Sequence, residues 1–196
     1  MVILVSFLFA APALAGYEYP VQSPEIRDAY FLGERANYQT TDFLSAYAYR
    51  FTQPQKGEYI ISEIDVLTPY AQIVQRGAHQ TPGDSEVQVE TDLRAHALRF
   101  LVKVSVYFND AIVDATPGVN GTQGSGQTFS ARLSQAHEIK PLQTRIEPIY
   151  GTHGPGGIIL TLEFDPAKII SAPMHITVHT PDGRSVSADF DLSKLK

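Results

Sequence analysis

The sequence predicts a mainly β protein: an antiparallel β-sandwich, with an immunoglobulin-like topology as its commonest realisation, preceded by a short helical N-terminal segment. Three observations lead there. Stretches of period-two alternation recur from residue 58 onward, and Gly/Pro/Asn/Asp-rich loops separate them. The part before residue 58 carries helix-start signals instead. A closed barrel is the alternative way to bury the same strands.

The chain opens MVILVSFLFAAPALAG, a short apolar run ending in the small-x-small pattern Ala13-Leu14-Ala15 before Gly16. This reads as an export signal, although no Lys or Arg precedes its apolar core. The run is shorter than the roughly 20 residues that a membrane span needs, so the mature chain is expected to carry no transmembrane segment. The reading divides the chain into a signal peptide over 1–15, a helical segment and linker over 16–57, and a β-sandwich domain over 58–196. The expected location is periplasmic or extracellular.

Ser23-Pro24-Glu25 joins a cap, a proline suited to the first turn and an early acid, so a helix is expected over Pro24 to Leu32, with Gly33 closing it. Phe43, Leu44, Tyr47, Ala48 and Phe51 recur at helical spacing, which predicts a second helix over Asp42 to Phe51. AYAYRF, residues 46–51, also admits a strand, but the longer window favours helix. Thr52 to Glu58 then forms the linker.

Seven to nine strands follow. In ALRFLVKVSVYF, Leu98, Phe100, Val102, Val104, Val106 and Phe108 take the inner face. GIILTLEF repeats the pattern with Ile158, Leu160, Leu162 and Phe164. The strongest local signal is MHITVHTPDGRSVSADFDL, a hairpin around Pro181-Asp182-Gly183 that sets Val178 against Val186. Weaker strands are EYIISEIDVL, YAQIVQ, EVQVE and QTFSARLS, and Pro69 marks a kink or an edge between the first two.

Composition excludes several chemistries. The chain has no cysteine, hence no disulfide framework, thiolate nucleophile or Cys-based zinc site. A net charge of −6 without a basic cluster argues against nucleic acid and anionic membranes. GTQGSGQT, residues 121–128, has the spacing of a phosphate loop, but Gln127 replaces the lysine and a strand, not a helix, follows. GTHGPGG at 151–157 reads in the same way as a plain loop, so no nucleotide and no cofactor is expected. Asn120-Gly121-Thr122 fits a glycosylation acceptor in a eukaryotic source.

The hairpin register places His175 opposite Asp189 and His179 opposite Ser185, with Ser187 diagonal to His175. An exposed sheet face lacks oxyanion donors, so this group reads as cross-strand polar pairing and no catalytic residue is assigned. His175 and His179 lie roughly 13 Å apart at about 3.3 Å per residue, too far to share one ion, and no metal site is assigned.

Eight of the ten tyrosines fall at or before Tyr70. Most suit a helix–sheet seam, where the ring is buried and the hydroxyl reaches a partner. Tyr49 and Arg50, off the apolar stripe of the expected second helix, are the candidate binding residues. The functional expectation is an exported, non-enzymatic envelope or extracellular module that binds or assembles with an unknown protein or glycan. The competing expectation is a hydrolase of cell-surface polymers, distinguished by a pocket holding a desolvated acid.

Overall fold

The structure is a computed structural model that describes residues 16–52, 55, 57–79, 93–95, 97–109, 128–151 and 154–196. The signal-like segment, the EVQVE stretch and the glycine-rich loop up to Gln127 lie outside the described residues, as do Asn120, His96 and His153.

Helix α1 spans Ser23–Glu34, with the Gln22 N–H held by Glu25 Oε2 at 3.0 Å. Gly33, expected to close it, lies inside the helix and is buried. Helix α2 spans Tyr38–Ser45, capped by the Asn37 side chain, which accepts from the N–H groups of Gln39 and Thr40. The expected helix over Asp42 to Phe51 is therefore half right. Strand β1, Ala48–Arg50, replaces its second half. The reason is tertiary: Val66 donates to the Tyr47 carbonyl at 2.8 Å and Phe51 to that of Ser62 at 3.0 Å, so β2 captures this backbone.

Strand β2 spans Tyr59–Leu67, and helix α3 follows at once over Pro69–Ala78. Tyr70 to Gln75 is thus helical, contrary to the expected strand. Thr68 Oγ1 caps the Ala71 N–H at 3.1 Å and Pro69 sits in the first turn, where its missing N–H costs nothing. Its buried residues cover nearly the whole circumference, which is why the short apolar run imitated a strand.

Seven further strands complete the described fold: β3 (Phe100–Phe108), β4 (Ser130–Ser134), β5 (Glu138–Ile139), β6 (Gln143–Gly151), β7 (Gly154–Phe164), β8 (Pro173–His179) and β9 (Ser185–Asp191). Strand β6 had no counterpart in the sequence reading. Of the glycine-rich stretch expected as a plain loop, Gly151 ends β6 and Gly154 to Gly157 begin β7, with Gly151 paired to Gly154. Leu98 precedes β3 and is 63% exposed, not inward, because Leu98 N–H turns back to the Ala95 carbonyl.

The strands form two antiparallel sheets, ordered β1-β2-β3-β7-β6 and β5-β4-β8-β9. Neither closes into a barrel. The protein is mainly β with a few helices. Ile64, Val104 and Leu160 of the first sheet and Leu133, Ile176 and Val178 of the second belong to one buried cluster. A second, smaller cluster joins Ala29 of α1 to Tyr70, Ile73 and Val74 of α3. The β8/β9 register is the expected one, with Val178 opposite Val186 and His175 opposite Asp189, around a turn whose Gly183 has φ 81°.

Candidate functional site

Strand alternation decides what β1 can offer. Tyr49 pairs with Ile64 and shares its face, whereas Ala48 and Arg50 pair with Asp65 and Glu63 on the opposite face. The two candidate binding residues therefore point to opposite sides of the sheet. Tyr49 is 42% exposed and packs edge-on against Phe51 at 4.9 Å. Arg50 donates to both carboxylate oxygens of Glu63, at 3.1 and 3.4 Å.

Around Arg50 the outer face of the first sheet becomes a site. The β2/β3 register sets Asp65 beside Lys103 and Glu63 beside Ser105. Helices α2 and α3 lie over the edge of this face, and a hollow of about 300 Å³ opens between them, lined by Thr41, Ser45, Gln75, Arg50, Glu63 and Asp65 among others. That volume is at the lower end of the range for small-ligand pockets.

Asp65 is the unusual group. Burial disfavours its charge, and a hydrogen bond and the like charge of Glu63 act in the same direction; Lys103 and Arg50 oppose them. The result is a carboxyl pushed up to about 7. At neutral pH Asp65 is therefore divided between its protonated and ionised forms. Arg50 neutralises Glu63 through an exposed ion pair, which by itself adds little stability. Asp65 can consequently donate or accept at neutral pH, the property needed to hold a ligand amine or hydroxyl or to move a proton.

A second polar array lies on the outer face of β8 and β9. Asp189 Oδ1 is 2.7 Å from His175 Nδ1, His175 Nε2 is 3.1 Å from Thr177 Oγ1, and Thr177 Oγ1 is 3.0 Å from Ser187 Oγ. Thr177, not Ser187, occupies the hydroxyl position beside the imidazole. The order Asp–His–Thr has the distances of a nucleophilic triad. Its setting does not. Strand β8 lies between β4 and β9, with Thr177 paired to Arg132 and Ser187, so the backbone there is committed to the sheet and offers no donors to an oxyanion.

A larger open hollow of about 620 Å³ lies along α1, lined by Asp28, Phe31, Leu32, Glu34, Arg35 and Tyr70. Among the described residues no group of three or more His, Asp or Glu side chains is placed to hold a metal ion. No described helix is long and apolar enough to cross a membrane.

Of the eight tyrosines at or before Tyr70, only three are buried and Tyr38 and Tyr49 are exposed, so the seam expectation holds for a minority of them. Tyr17, Tyr47 and Tyr70 are buried, and the first two belong to the main cluster. Tyr17 donates to the Pro166 carbonyl at 2.9 Å and Tyr47 to that of Lys196 at 2.7 Å. Burial raises both phenol pKa values. No family model, curated protein or solved structure matches this chain.

Proposed function

We propose that the protein is an exported, non-enzymatic binding or assembly module of the envelope or extracellular space. Its scaffold is an immunoglobulin-like sandwich, and a donor group of its protein or glycan partner docks in the hollow beside Asp65. The strand orders support the scaffold: β2-β3-β7-β6 runs as A-B-E-D and β5-β4-β8-β9 as C′-C-F-G of an immunoglobulin domain. The apolar segment before Gly16 supports export.

The observation that carries the site is Asp65 itself, a desolvated carboxyl in a hollow, with its neighbour's charge already met by Arg50. A partner amine entering there replaces the Asp65 proton and offsets the like charge of Glu63. Glycan and protein arrays probed with wild type and with Asp65→Asn, at pH 6 and pH 8, test the reading. The expected ligands bind wild type more tightly at pH 8 and lose this pH dependence in Asp65→Asn. Ligands held equally by both proteins at both pH values would place the binding surface elsewhere.

A second reading, a hydrolase of cell-surface polymers, is favoured by the same desolvated Asp65 in its hollow, the feature expected to mark the enzyme, and by the Asp189–His175–Thr177 distances. A hydrolase screen of wild type beside Thr177→Ala and His175→Ala separates the two readings. Turnover that vanishes in both variants while their melting temperatures hold would support the enzyme.

A further inference from the structure

Among the described residues, strand β6 ends the five-stranded sheet as an open edge nine residues long. The other edges are different: β1 has three residues, β5 has two, and β9 carries Asp189 and Asp191 with no basic residue. Short or like-charged edges resist pairing with another chain. Strand β6 is long and carries both signs of charge.

Its two faces are also incompletely covered. Ile146 pairs with Leu160, which is fully buried, yet Ile146 itself is 44% exposed, so the covering of the inner face stops one strand short. Arg145 and Glu147, paired with Thr161 and Ile159, stand exposed on the outer face. Leu142 and Tyr150, just before and near the end of the strand, are exposed as well.

We propose that β6 is a self-association edge, along which two copies of this chain pair β6 antiparallel to β6 with Ile146 against Ile146. In a two-fold antiparallel pairing, side chains that meet must share a face, so the register moves only in steps of two. One step one way sets Arg145 against Arg145, and one step the other way sets Glu147 against Glu147. The Ile146-centred register sets Arg145 of each copy against Glu147 of the other. It also sets Thr144 against Pro148 and brings Leu142 toward Tyr150. Pro148 limits this arrangement: when its nitrogen faces the open edge it leaves the β7 ladder whole, but it offers no N–H to the Thr144 carbonyl of the other copy, so two ladder bonds of the dimer are missing. Thr144 and Ile146, four and two residues earlier, then present their N–H groups to the second copy. A single strand pair buries less surface than a standard interface, so the dimer is weak and depends on concentration.

Sedimentation equilibrium of the full chain tests this directly. Wild type is expected to dimerise, and Arg145→Glu and Glu147→Arg each to weaken the dimer on the order of tenfold, since two attractive cross-strand pairs become repulsive. The double variant, which exchanges the two charges, is expected to regain the wild-type association. Both residues are exposed, so circular dichroism should show all three variants folded. A wild type that stays monomeric up to roughly millimolar concentration overturns the proposal. So does a dimer indifferent to the single reversals, or one that the double exchange fails to restore.

Discussion

Asp65 couples the site to stability. Its folded pKa, about 7, lies above the ordinary 3.8, so between these values the native state holds a proton that the unfolded chain has released. Its contribution to stability is therefore complete below about 3.8 and is lost as pH rises through about 7. Thermal melts from pH 4 to pH 8 should show a decline that Asp65→Asn flattens, the variant being the more stable of the two at pH 8. Equal slopes would mean that the carboxyl is not desolvated. Asp182 shifts the other way: burial disfavours its charge, but bonds from Thr180 and Arg184 outweigh that and lower its pKa. Its contribution is lost only as pH falls through the acid range, outside the window in which Asp65 acts. In the hairpin, Val178 is fully buried and His179 is half-buried on the other face. Val178→Asp should cost about 4 kcal/mol or more, because an unpaired charge enters the core. His179→Asp should cost about 1 kcal/mol or less, and denaturant unfolding of the two variants compares them. This contrast was legible in the sequence because turn residues and alternation fix a hairpin register locally. The chemistry of Asp65 was not legible: alternation put it on the solvent face, and only the helices over that face desolvate it.

Helices α1 and α3 cross at glycines. A β-carbon on Gly33 would strike the Val74 carbonyl oxygen, and one on Gly77 the Tyr30 carbonyl oxygen. Glycine inside a helix ordinarily costs about 1 kcal/mol against alanine, so Gly→Ala at a spacious position stabilises. Here the sign reverses. Gly33→Ala and Gly77→Ala should each destabilise by about 1–3 kcal/mol through overpacking, measured by urea unfolding. Gains in stability would show that the helices do not approach so closely. The sequence hid this crossing because Gly33 resembled a helix stop and α3 resembled a strand. The decisive signal for α3 was Thr68-Pro69, the same kind of cap and first-turn proline that marked α1. Strand β6 was missed for a different reason. Its side chains are mostly exposed on both faces, so burial left no alternation in the sequence to read.

Across the molecule, three contacts tie distant segments together. Tyr17 donates its backbone N–H to the Leu192 carbonyl at 2.8 Å while its ring meets Phe100 edge-on at 5.7 Å. Arg184, beside the β8/β9 turn, donates to the Tyr59 carbonyl at the start of β2, linking the two sheets. Lys196 gathers the helical side: its carbonyl accepts from Tyr47 and Thr68, its backbone N–H donates to the Tyr47 hydroxyl, and its ammonium lies 3.5 Å from Glu25 and over the Tyr70 ring. Tyr47→Phe removes one donor and one acceptor from this clasp and should cost about 1–3 kcal/mol in chemical unfolding, with the ring packing retained. The mainly β class was legible because it rests on alternation summed over many strands. The hollow rests on how α2, β1, β2 and α3 pack together within residues 41–75, which strand alternation alone does not reveal. The most direct test of that site is an NMR titration of the Asp65 side-chain carboxyl carbon in the folded protein. A midpoint near 7 is the expected result. A midpoint near the ordinary 3.8 would remove the desolvated acid on which the reading of the site stands.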